Sequence, residues 1–144
     1  MDVMDGMQIE EIVCIYMEYG DDFHECIEEA AREKDIRTGA ILSGIGTFDR
    51  ARIHHIVHTE FPSENRFVEI EGPVELCSVD GIITDYMPHM HCTMALRGNE
   101  LFAGHLEPGC KVLYLAEVVI ARLTGRELER DTHPELGTPR LRSK

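Results

Sequence analysis

His89, His91 and His105 lie in the stretch PHMHCTMALRGNELFAGHLEPG, two short apolar runs joined at Gly98-Asn99. Side chains at i and i+2 of a strand leave the same face about 6 to 7 Å apart, so His89 and His91 can turn both imidazoles toward one ion. An HxH pair alone is weak evidence for metal; a third histidine brought level with it by a hairpin is stronger. Register decides whether that happens. A strict two-residue Gly98-Asn99 turn pairs Arg97 with Glu100 and sets position 92 opposite 105, which leaves His105 on the reverse face. A three-residue loop, or a bulge at Gly104, makes His91 and His105 direct cross-strand neighbours, with His89 on the diagonal. The shifted register is the reading adopted here. It predicts a facial three-nitrogen site with an open fourth position, as in catalytic zinc sites. Few acids crowd the segment, so a carboxylate-rich magnesium or calcium site is disfavoured and zinc is the expected ion. The competing reading makes these residues polar groups on a surface or interface strand.

Other residues carry weaker signals. His54, His55 and His58 form a second cluster, but adjacent strand residues point to opposite faces, and partly exposed strand polarity accounts for them. Glu117 is alone in the run CKVLYLAEVVIA; it is the candidate acid/base facing a pocket, the alternative being a buried structural hydrogen bond. Arg50 and Arg52, with Ser43, are candidates for holding an anionic substrate, against the ordinary case of solvated strand arginines. Gly44-Ile45-Gly46 lacks the following helix, the lysine and the third glycine of a phosphate loop, so a tight bend or close backbone approach is expected there.

The elements that must position these groups read as mostly β. Ile9, Val13, Ile15 and Met17 alternate over residues 9–18 as in a half-buried strand. After Tyr19-Gly20-Asp21-Asp22, the residues Phe23, Cys26, Ile27, Ala30 and Ala31 recur at helical spacing, with acids leading and Arg32, Lys34 and Arg37 closing. From Gly39 to His58 two strands meeting at a Gly-rich bend are expected, followed by strands over 66–71, 73–84, 89–97, 100–107 and 110–121. Turn signals every eight to twelve residues predict a meandering antiparallel sheet, and with one main helix this is a single α+β domain. The domain is set at 8–121, with a polar, loosely packed C-terminal tail over 122–144. Because CKVLYLAEVVIA is apolar on both faces and one helix covers only part of such a sheet, a homo-oligomer is expected.

The chain has 144 residues, 43% of them hydrophobic, with 14 basic and 27 acidic side chains and a net charge of -13. Such a surface repels phosphate backbones and anionic leaflets, so nucleic acid is a poor default partner. The basic side chains gather after Ile120, at Arg122, Arg126, Arg130, Arg140, Arg142 and Lys144. Five cysteines without CxxC pairing fit reduced thiols. MDVMDGMQIE shows neither a basic n-region nor an apolar h-region, and no long apolar run follows; a cytoplasmic protein without a membrane partner is the expectation.

Taken as an ordered set, GAILSGIGTFDRARI, RFVEIEGPVEL, HMHCTMAL, AGHLEPGC and LAEVVI resemble the plants-and-prokaryotes conserved (PPC) domain in its stand-alone prokaryotic form. The resemblance implies an α+β subunit and a homotrimer. In plants the domain follows an AT-hook in nuclear DNA-binding regulators. Here GRELER and TPRLRSK are the nearest approaches to that element and neither fits, and RFVEIEG replaces the plant partner-binding sequence after Phe67. The fold is also similar, more remotely, to acetolactate decarboxylase, a zinc enzyme with an HxH pair and a further histidine, which implies metal at His89, His91 and His105.

The expectation is a homotrimeric metalloprotein, either an enzyme acting through zinc on a small carbonyl or carboxylate compound, or a DNA-associated or protein-interaction module with a structural ion.

Overall fold

The computed structural model describes residues 1–97 and 100–144. Eight strands and one helix follow in the order β1 (Gln8–Glu18), α1 (Phe23–Glu33), β2 (Thr38–Ile56), β3 (Asn65–Thr84), β4 (Met87–Ala95), β5 (Leu101–Leu106), β6 (Lys111–Thr124), β7 (Leu128–Thr132) and β8 (Pro139–Ser143). The domain is α+β and mostly antiparallel, as the patterning predicts. No helix among the described residues is long and apolar enough to cross a membrane.

Helix α1 starts where Asp22 accepts hydrogen bonds from the backbone N–H groups of His24 and Glu25, both at 3.2 Å. It ends as Ile36 N–H returns to the Ala31 carbonyl at 2.7 Å and Asp35 takes a left-handed φ of 48°. Its buried face, Phe23, Ile27 and Ala31, packs on the sheet, where Phe23 meets Phe48 edge-on at 5.3 Å between centroids.

The sheet runs β1-β6-β2-β3-β4-β5, and β5 pairs back onto β2. Strands β2, β3, β4 and β5 therefore close into a ring, while β6 and β1 extend it as an open wing. β2 serves both parts: Gly39 to Arg50 pair with β6, and Ile53 and His54 pair with Leu106 and His105. Closure requires backbones to come close. A Cβ on Gly104 would lie 2.7 Å from the His54 carbonyl oxygen, so only glycine lets β5 approach β2 at that point.

Two expected breaks are absent. The Gly-rich segment predicted to bend between two strands is one strand of 19 residues, and the segments 66–71 and 73–84 are one strand of 20 residues. The glycines mark contact: a Cβ on Gly46 would sit 2.6 Å from that of Ala116. Register shifts between Phe48 and Arg50, and earlier in β2, absorb the curvature that a bend was expected to supply. Residues 122–144, expected as a loose tail, first extend β6 and then form the β7-β8 hairpin, pinned by a two-point Arg140–Asp131 contact at 3.0 and 2.7 Å. All five cysteines are free; Cys92 and Cys110 are buried, Cys26 half-buried, Cys14 and Cys77 exposed.

Candidate metal centre

On β4 the inward positions are Met90, Cys92 and Met94, all buried, so His89 and His91 stand on the outer face of the ring. The β4-β5 register pairs His91 directly with His105 and continues without a shift to Ala95 and Leu101. Leu96 N–H donates to the Glu100 carbonyl at 2.9 Å, so the pairing keeps its step up to those residues. No bulge interrupts it at Gly104. The expected turn residues Gly98 and Asn99 themselves lie outside the described residues.

His89, His91 and His105 each direct a ring nitrogen into a group whose members all lie within 4.8 Å of one another. The Nε2 atoms of His89 and His91 are 3.4 Å apart. Two nitrogens on one tetrahedral ion with bonds of about 2.0 to 2.1 Å stand roughly 3.3 Å apart, so this spacing fits a shared ion. The His89 and His91 rings lie 7° from parallel, and the His105 ring is turned 79° and 82° to them. The donors approach from two strands, His91 exposed and His89 and His105 half-buried.

A fourth histidine joins them. Closure of β5 on β2 sets His54 opposite His105, with the rings stacked at 4.4 Å. His54 Nδ1 meets Glu107 Oε1 at 2.5 Å, and the same carboxylate oxygen lies 3.8 Å from His105 Nε2. His54, His105 and Glu107 thus form a second group with metal-ligating atoms in reach of one another. His55 is exposed on the opposite parity of β2, and His58 sits beyond the strand at 3.8 Å from Glu64, so neither joins. Reading the sequence alone misses Glu107, because its meeting with His54 depends on a ring closure between residues 53 apart.

Burial chiefly, then the Arg130 guanidinium, then the His105, His91 and His54 rings pull the His89 pKa from 6.5 down to about 4. His105 is lowered too, by burial first and by His54, against the opposing pull of Glu107. Neutral imidazoles are the form that binds metal, so both rings are ready ligands at neutral pH.

The other expected site residues scatter. Arg52 is brought near: it is half-buried on β2, shares an outward parity with His54, and lies over the Phe67 ring at 5.2 Å. Arg50 is further along the strand, exposed, with its Nε donating to the Gly109 carbonyl at 3.4 Å. Glu117 is exposed on β6, opposite Ile45 of β2 and Tyr16 of β1. Ile45 and His54 are nine residues apart on β2, roughly 30 Å of strand, so the fold does not bring Glu117 to the histidines. The cavity beside β6, about 370 Å³, is lined by Arg37, Arg122 and Arg126. Each is already paired, with Asp35, Glu10 and Asp5, and no histidine lines it.

Known proteins share this architecture. The metal-containing protein of Archaeoglobus fulgidus superposes with a TM-score of 0.80 at 26% identity, over 95% of this chain and 96% of that one. The plant- and prokaryote-conserved (PPC) protein of Pyrococcus horikoshii gives 0.81 at 22% identity, over 92% of each chain. A Staphylococcus aureus protein of unknown function similar to alpha-acetolactate decarboxylase gives 0.52 at 12% identity, over 81% of this chain and 52% of that one, a remote likeness of fold. Among curated sequences, the Bifunctional protein GlmU of a Synechococcus strain is 27% identical over 118 residues, 82% of this chain. The chain spans 18% of the length of that relative. The model of the Plants and Prokaryotes Conserved (PCC) domain matches residues 4–124, and the chain belongs to that family.

Proposed function

We propose that the protein is a homotrimeric metalloprotein in which His89, His91 and His105 hold a divalent ion, zinc by its donor set. The observation that carries this reading is the convergence of three imidazole nitrogens within 4.8 Å, with an Nε2–Nε2 spacing that a tetrahedral ion requires. The Archaeoglobus fulgidus relative, described as metal-containing, supports it. All-nitrogen donors with a nearby carboxylate favour zinc over magnesium or calcium.

A divalent ion held there supplies a Lewis acid on the open side of the ring. The surrounding residues suit it to a small carbonyl or carboxylate compound. Glu107 orients His54 through Nδ1, which leaves the other ring nitrogen to take or give a proton beside the bound compound. Arg52 contributes positive charge on the same face, a part for which Arg50 is less well placed. Acid/base work falls to the His54–Glu107 pair rather than to Glu117, by position.

Assembly is supported by the open wing. Ile12 and Tyr16 of β1, Leu42 and Ile45 of β2 and Leu115 of β6 are all exposed on the side away from α1. Exposed apolar side chains gathered on one face of a chain this acidic fit burial against further copies. A DNA-associated role has less support, since the net charge of -13 opposes a polyphosphate partner.

Metal analysis of protein purified without added metal tests the site. About one ion per chain is expected for the wild type and close to none for His91→Ala. A stoichiometry far below one, unchanged by that substitution, would remove the idea.

A further inference from the structure

The C-terminal hairpin lies beyond the segment that matches the family model, which ends at residue 124. It is nevertheless fastened to the domain. Leu128 is buried, and its N–H donates to Thr38 Oγ1 at 3.0 Å. Strand β7 packs against β3, the strand that places Ile82 opposite His89. Leu128 and Arg130 are two residues apart on β7 and leave the same face, so the anchoring of one aims the other at the histidine-bearing side of the ring. The pull of the Arg130 guanidinium on His89 agrees with that placement.

The charges of the hairpin divide sharply. Arg140 and Arg142 meet Asp131 and Glu129, and Lys144 meets Glu127. Arg130 has no such partner among the described residues, and its Nε is buried without an acceptor. The other side-chain nitrogen in that condition is Nε of Arg52, two residues from His54. A buried guanidinium N–H left unpaired is costly, and an arginine held so commonly has an oxyanion as its acceptor. Two of them border the histidine cluster, one on the His54 flank and one on the His89 flank.

We propose that Arg52 and Arg130 together clamp a carboxylate-bearing ligand over the histidine centre, with Arg130 supplied by the hairpin as a specificity-determining residue. The ligand class follows from the acceptor that the two Nε–H groups lack: a small carboxylate, planar and able to take paired N–H donors. This inference rests on the metal reading above.

Cobalt(II)-loaded protein provides the test, because its visible spectrum reports both ion uptake and ligand approach. Titration with pyruvate is expected to give a saturable spectral change in the wild type. Arg130→Met and Arg52→Met should each weaken pyruvate binding about tenfold or more while cobalt stays at one per chain. Arg130→Lys should recover part of the loss, since it keeps the charge but not the paired donors; it also serves if the methionine variant misfolds. Equal pyruvate affinity in wild type and Arg130 variants, or no saturable response in the cobalt-loaded wild type, would overturn the clamp. Failure of the wild type to take up cobalt would instead overturn the metal reading.

Discussion

Strand β2 shows two different outer faces along its length. Toward its start, Leu42 and Ile45 are exposed beside Tyr16 and Leu115; toward its end, Arg52 and His54 stand beside Phe67, His105 and Glu107. The inner face hardly changes, with Ile41, Phe48, Ala51 and Ile53 all buried. One strand thus keeps a continuous core contact while its outer side passes from an exposed apolar surface to a polar centre. The boundary falls between Arg50, still paired with β6, and Ile53, paired with β5. Because the two outer regions lie roughly 30 Å apart along the strand, perturbing one should leave the other nearly untouched.

The largest effect expected is at the polar end. His91→Ala removes one of three nitrogens and should weaken metal binding by more than about a hundredfold, since loss of even an outer partner of a ligand costs ten to a hundredfold. Sedimentation should return an unchanged oligomer. If the oligomer falls apart with the metal, the two regions are one cooperative unit and the separation is wrong. The converse variant is Ile45→Asp, which puts a second carboxylate directly opposite Glu117 on that face. If this face carries the proposed assembly, light scattering should show the mass fall from that of the wild-type assembly to that of one chain, with metal content kept; an unchanged mass would mean that this face is not the docking surface.

A smaller effect follows from His89. In the folded protein without metal its pKa is pulled down to about 4, whereas the unfolded chain takes up the proton near pH 6.5. Its contribution to stability is therefore full above pH 6.5 and is lost as pH falls toward 4. Chemical denaturation should find wild type less stable at pH 4 than at pH 7, and His89→Asn should shrink that difference by about 1 to 2 kcal/mol, the full shift being discounted for solvent screening of a half-exposed ring. Equal slopes would mean that His89 titrates as a solvated side chain.

Much of this contrast is written locally in the sequence. The alternation Ile9, Val13, Ile15, Met17 and the Asp22 cap define β1 and α1 without tertiary help. His89, His91 and His105 are readable as a group once the hairpin register is shifted by one residue, which the sequence allows by a longer loop or by a bulge. What stayed hidden depends on distant chain segments. The pairing of His54 with His105 and Glu107 exists only because β5 closes on β2. Gly44, Gly46 and Gly72 look like breaks, yet each is a close backbone or side-chain contact inside a long strand. In the hairpin, Leu128 and Arg130 face inward while paired arginines and carboxylates give the segment the composition of a solvated tail.

Glu117 offers the finest test, because sequence and fold assign it to opposite regions. Its isolation in an apolar run suggests a catalytic carboxylate, but across β6 it stands between Tyr16 and Ile45 on the docking face. Glu117→Gln removes its charge and keeps its shape. If the residue serves assembly, subunit affinity should change by no more than about 1 kcal/mol, in the range of a charge at an interface rim. Metal content and pyruvate binding to the cobalt-loaded protein should match the wild type. An altered pyruvate titration with normal metal content would instead tie the carboxylate to the centre. Since roughly 30 Å of strand separate them within one chain, that result would require a neighbouring subunit to bring its Glu117 to these histidines, and the docking and ligand regions would then be one composite surface.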